Sequence, residues 1–155
     1  MPLTIGLNHV ATLTADLDRL IRFYVEVFEA AVLADLDEDG LRHAMLDLGG
    51  GACLHPFQMD GNPHGEGSPT MFDRGHLDHV ALNVGDDETF ETLRRRLVAA
   101  GATDGMITDF GNVRTVWFSD PDGGEGEIAQ WQRGEPLTFA ERRQHHLPTS
   151  TNSSP

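Results

Sequence analysis

Leu7-Asn8-His9-Val10-Ala11 returns 70 residues later as Leu77-Asp78-His79-Val80-Ala81. A pentapeptide that recurs at such a separation predicts a repeated supersecondary unit. Both copies open an alternating run that reads as a strand, and each run leads into a helix. In the first, Asp16 is placed to cap a helix whose Leu17, Leu20, Ile21, Tyr24, Val27 and Phe28 recur along one stripe. In the second, Asp86 stands at the matching offset, Phe90, Leu93 and Leu97 mark the stripe, and Gly101 suits a left-handed C-terminal cap. A stripe of this kind needs a sheet to pack against.

Three short strand-like segments follow each helix. In the first half they run about 31–36, 41–48 and 52–57, parted by Asp37-Glu38-Asp39-Gly40 and by Gly49-Gly50-Gly51. In the second they run about 105–110, 113–119 and 125–131, parted by Gly111-Asn112 and by Asp120-Pro121-Asp122-Gly123. The predicted fold class is therefore α+β, built from two βαβββ modules. Residues 1–132 hold the pair: module one covers about 5–58, a Gly- and Pro-rich linker 59–75, and module two about 76–132. Residues 133–155 are expected to give a short helix from Glu135 to His146 and then a polar, flexible tail.

Charge narrows the partners. The 155 residues carry 25 acidic and 11 basic side chains, a formal charge of −14, which repels phosphate backbones and anionic lipid. Neither nucleic acid nor a membrane is expected as a partner. No run approaches the roughly 18 apolar residues of a spanning helix, and MPLTIGLNHV lacks the features of a secretory signal, so a cytoplasmic location is expected. Cys53 is the sole cysteine, which excludes an internal disulfide and thiolate zinc cages. A metal would need nitrogen and oxygen ligands.

Those ligands are present at repeat-related places. Alternation sets His9 on a face with Leu7, Ala11 and Leu13, and His79 on a face with Leu77, Ala81 and Asn83. On the last strand of module two, Glu127 shares a face with Glu125, Ala129 and Trp131; its counterpart in module one is His55, two places off the repeat offset. If the modules pair about a pseudo-twofold axis, His9, His55, His79 and Glu127 converge. Two imidazoles and one carboxylate suit iron(II), while a fourth ligand favours Zn, Ni, Co or Mn as a Lewis acid. His55, the linker residue His64, and His76 at the start of module two are candidate acids or bases. His43, His145 and His146 have no partner in the repeat. The Arg94-Arg95-Arg96 run is expected on a solvated helix face.

The stretches LNHVATLTADLDRLIRFYVEVF, LDHVALNV and FSDPDGGEGEIAQW resemble the vicinal oxygen chelate superfamily, which includes glyoxalase I, extradiol dioxygenases, methylmalonyl-CoA epimerase, fosfomycin-resistance enzymes and bleomycin-binding proteins. The resemblance spans about residues 5–131. It implies paired βαβββ modules forming a partly open β cup around a divalent metal held by His9, His79 and Glu127. It further implies a metal-dependent enzyme of dioxygenase-like character, with iron(II) favoured, acting on a small substrate that chelates the metal through neighbouring oxygens. A glyoxalase- or epimerase-type enzyme is the alternative reading. A third is a metal-poor binder of antibiotics or aromatic ligands, in which Phe57, Trp117, Trp131 and Phe110 would stack or pack. Extradiol enzymes of the superfamily tend to place a tyrosine where this chain has Trp117, and the sole tyrosine here is Tyr24, in the first helix. A homodimer is expected, since small members usually pair and edge strands invite association.

Overall fold

The computed structural model describes residues 2–4, 6–63, 77–132 and, as backbone alone, 143–145. The chain is α+β, and the two halves follow one plan. Strand β1 (His9–Thr14) leads to helix α1 (Leu17–Phe28) and to strands β2 (Ala31–Glu38), β3 (Leu41–Asp47) and β4 (Cys53–Met59). The second half repeats this with β5 (Val80–Asn83), α2 (Asp87–Ala99), β6 (Ile107–Asp109), β7 (Val113–Ser119) and β8 (Glu125–Trp131). The sheets run β1-β4-β3-β2 and β5-β8-β7-β6, the second extended by β9 (Arg143–His145).

Strand β9 corrects one expectation. Residues 143–145 do not continue a helix but pair antiparallel with β6, Thr108 lying opposite Gln144. A three-residue strand gains its hydrogen bonds from a neighbouring edge, which a helical pattern in the sequence does not reveal. The rest of the expected helix and tail lies outside the described residues.

Two compact units emerge, and they are not the two sequential halves. Residues 1–80 with 119–126 form one; residues 81–118 with 127–155 form the other. In the first, α1 begins where the Asp16 side chain accepts from the Arg19 N–H at 2.9 Å, as the sequence predicts. Its inner stripe, Leu17, Leu20 and Tyr24, packs on Ala44, Leu46 and Leu54 from β3 and β4. Burying each leucine stabilises the unit by about 2 kcal/mol. The helix ends on Glu29, which takes the left-handed conformation at φ 57°. The Asp120–Gly124 turn belongs to this unit. Arg19 bridges Asp122 at 2.7 Å, and the Tyr24 hydroxyl donates to Asp120 Oδ2 at 3.5 Å. The sole tyrosine is thus a core residue.

In the second unit, Asp86 caps α2 by accepting from the Thr89 N–H at 2.8 Å. The helix closes with Gly101 at φ 71°, its N–H on Val98 O, and the Ala102 N–H on Leu97 O. That pair of bonds is a Schellman cap, as Gly101 foretells. Phe90 and Leu97 are fully buried, and the Arg114 guanidinium sits 4.2 Å from the centre of the Phe90 ring. Arg94 departs from the expected wet face. It is buried, and its Nε donates to Gly105 O at 2.6 Å, which satisfies a carbonyl that a leucine there would strand.

Candidate metal centre

Strand pairing decides which side chains share a face. In the first sheet β1 runs parallel to β4, with His9 beside Cys53, Ala11 beside His55 and Leu13 beside Phe57. Strand β3 runs antiparallel to β4 and brings His43 beside Phe57. The opposite face, with Leu46, Leu54 and Pro56, is buried. His9, His55, His43 and Phe57 therefore line the face turned away from α1.

They also touch. The His9 and His55 rings meet edge to face with centroids 5.5 Å apart. Nδ1 of His43 lies 3.0 Å from Nε2 of His55. His43 stacks on Phe57, centroids 5.2 Å apart at 18°, and His55 lies 4.2 Å from the same ring. Burial, with His43 and then His9 close by, pushes the His55 pKa below the ordinary imidazole value, because a positive charge there would be poorly solvated and repelled. The lowered value favours the uncharged, proton-accepting form.

Both repeat-related histidines carry the same fixture. Nδ1 of His9 donates to Asn8 Oδ1 at 2.7 Å, and Nδ1 of His79 lies 2.9 Å from Asp78 Oδ2. An acceptor on Nδ1 puts the ring's lone pair on Nε2, which is how imidazoles are prepared for metal ligation. The fixture comes from the residue just before each histidine in the repeat.

Glu127 is a buried carboxylate on β8, 7% exposed, while Glu125 two residues earlier is half-buried. The Val84 N–H donates to Ala129 O at 2.8 Å. By the repeat of β1 on β4, this register sets Ala81 beside Glu127 as Ala11 sits beside His55. His55 is thus the structural counterpart of Glu127, and the two-place offset in the sequence is length gained between the strands.

Of the other candidates, Phe57 lies beside His55, Trp117 is half-buried on β7, and Trp131 is exposed at the end of β8. His64 and His76 lie outside the described residues. Sequence reasoning missed His43. The hairpin would have revealed it: Leu48 N–H bonds Ala52 O across the Gly49-Gly50-Gly51 turn, and counting outward pairs residue 43 with residue 57. Among the described residues, no three His, Cys, Asp or Glu side chains are gathered closely enough to hold an ion.

A family model described as the Glyoxalase/Bleomycin resistance protein/Dioxygenase superfamily matches residues 6–128. The chain belongs to that superfamily. Among its relatives, the metallothiol transferase FosB of Lysinibacillus sphaericus is 24% identical over 144 residues, covering 92% of this chain and 94% of that protein. A glyoxylase/bleomycin resistance protein/dioxygenase domain from Frankia sp. EAN1pec is 28% identical with a TM-score of 0.65, over 82% of this chain and 98% of that one. A fosfomycin resistance protein FosX variant of Listeria monocytogenes, solved with Mn(II) and 1S,2S-dihydroxypropylphosphonic acid, is 18% identical with a TM-score of 0.59, over 81% of this chain and 92% of that one. That last likeness speaks for the fold.

No helix among the described residues is long and apolar enough to cross a membrane.

Proposed function

We propose that the chain is a divalent-metal enzyme of the vicinal oxygen chelate type, with His9, His79 and Glu127 as the protein ligands. The observation that carries this reading is the shared fixture on His9 and His79. Two histidines at repeat-related positions each have Nδ1 engaged by the preceding residue. Chance burial gives no reason for the same tautomer twice. Glu127 adds a carboxylate, 7% exposed, on the last strand of the second half, where the first half has His55.

The substrate class follows from the donor set. Three protein ligands would leave open positions for a small molecule with two neighbouring oxygens. When bound, the ion supplies Lewis-acid polarisation of those oxygens. His9 and His79 each present Nε2 and stay oriented through Asn8 and Asp78. His55, beside His9, would take or return the proton that the substrate exchanges. Phe57 walls that side, and Trp117 and Trp131 are proposed to meet an apolar part of the substrate. His64 is proposed as a second acid or base.

An oxygen-using version of the same centre is the second reading, because two imidazoles and one carboxylate form the set that suits iron(II). Tyr24 takes no part in it, since it is buried against Asp120. Elemental analysis after anaerobic purification separates the two. Mn, Ni, Co or Zn, with turnover of fosfomycin plus water or a thiol, or of methylglyoxal plus glutathione, supports the Lewis-acid reading. Iron with oxygen uptake against a catechol panel supports the second, and a chain that takes up none of these ions contradicts both. A homodimer goes with either reading, since β2 borders the first sheet and exposes Val32, Leu33 and Leu36; a monomer by light scattering counts against it.

A further inference from the structure

We propose that His43 is a positioning residue that fixes the tautomer of His55, accepting the Nε2–H of His55 on its own Nδ1 so that the His55 lone pair resides on Nδ1. The inference rests on the reading of His55 as the site's proton acceptor and adds how that acceptor is set.

Two neutral imidazoles in contact share one proton, so the 3.0 Å separation of His43 Nδ1 and His55 Nε2 admits two arrangements. If His43 donates, His55 must carry its proton on Nδ1 and has no lone pair left to accept another. If His55 donates, its Nδ1 is bare. The repeat favours the second. His55 stands where Glu127 stands in the other sheet, and an ionised carboxylate offers only acceptors. A bare Nδ1 gives His55 the same character.

The scaffold makes the arrangement rigid. His43 and Phe57 are direct cross-strand partners and their rings stack at 18°, which fixes the plane of His43. Phe57 touches the His55 ring as well, at 4.2 Å. One phenyl ring therefore holds both members of the pair.

The test is nitrogen-15 NMR of the imidazoles in the full-length chain at about pH 8, above the ordinary imidazole range. The nitrogens of a fixed tautomer resonate far apart, and those of an averaging ring draw together. Wild type should show His55 protonated on Nε2. His43→Asn, whose side-chain oxygen also accepts, should keep that pattern, and His43→Phe, which retains the stack on Phe57 but accepts nothing, should collapse it to an average. A wild-type His55 protonated on Nδ1 overturns the inference, and so does an unchanged pattern in a folded His43→Phe protein. Should that variant not fold, the wild-type spectrum decides alone. The measurement needs no metal, so failure of the ligand assignment shows in metal uptake and leaves this result distinct.

Discussion

The Asp78 carboxylate lies 2.9 Å from Nδ1 of His79, and Asn8 holds Nδ1 of His9 at 2.7 Å in the matching place of the other half. A carboxylate on Nδ1 strengthens an imidazole as an electron-pair donor to a metal more than a neutral amide does. Asp78→Ala should weaken metal binding by about 10- to 100-fold with the fold intact, as replacement of such partners does elsewhere. Asn8→Ala should cost less. Competition titration with a chromophoric chelator measures both, and an Asp78→Ala protein of wild-type affinity would remove the argument from tautomer.

Asp120 makes stability depend on pH with a definite sign. Burial pushes its pKa up to about 6 against an ordinary 3.8, with Asp122 adding to the rise while N–H groups in the turn pull it down. A group raised in the folded state contributes fully below its unfolded value and loses that contribution as pH climbs through its folded one. Between about pH 4 and pH 6.5 wild type should therefore lose on the order of 2 kcal/mol relative to Asp120→Asn, which keeps an oxygen for the turn and never ionises. Denaturant melts of both proteins across that window give the difference. A constant difference would show that Asp120 titrates alike in both states.

Glu29 ends α1 in the left-handed region, at φ 57°, a conformation in which a side chain is strained and glycine is not. The matching helix in the other half uses Gly101 just past its end. Glu29→Gly should stabilise the chain by about 0.5–1 kcal/mol, read as a raised thermal midpoint. A lowered midpoint would mean that the Glu29 side chain contributes more than the strain costs.

Leu20 is 1% exposed in the cluster between α1 and the first sheet. Leu20→Ala should cost about 2–5 kcal/mol in equilibrium unfolding, through lost burial and the cavity left behind. A cost below about 1 kcal/mol would place the core elsewhere.

Much of this architecture is written in local chemistry. The duplicated pentapeptide, the Asp16 and Asp86 caps and Gly101 each act over a few residues, and β7 and β8 begin and end where alternation places them. What escapes is set by distant partners. Arg94 is drawn inward by the Gly105 carbonyl, eleven residues away, and 143–145 becomes a strand because β6 offers an edge. Of the site, the repeat-related His9 and His79 were legible as a pair, but their Nδ1 partners needed coordinates. His43 was passed over since its meaning comes from the register of β3 on β4, not from its neighbours in sequence.

The ligand role of Glu127 is best tested by manganese stoichiometry, through equilibrium dialysis and elemental analysis, in wild type, Glu127→Gln and Glu125→Gln. The two glutamates lie two residues apart on one face of β8, and the swaps differ in the carboxylate removed. The account predicts a bound ion in wild type and Glu125→Gln, and little or none in Glu127→Gln. Equal occupancy in the two variants would contradict it.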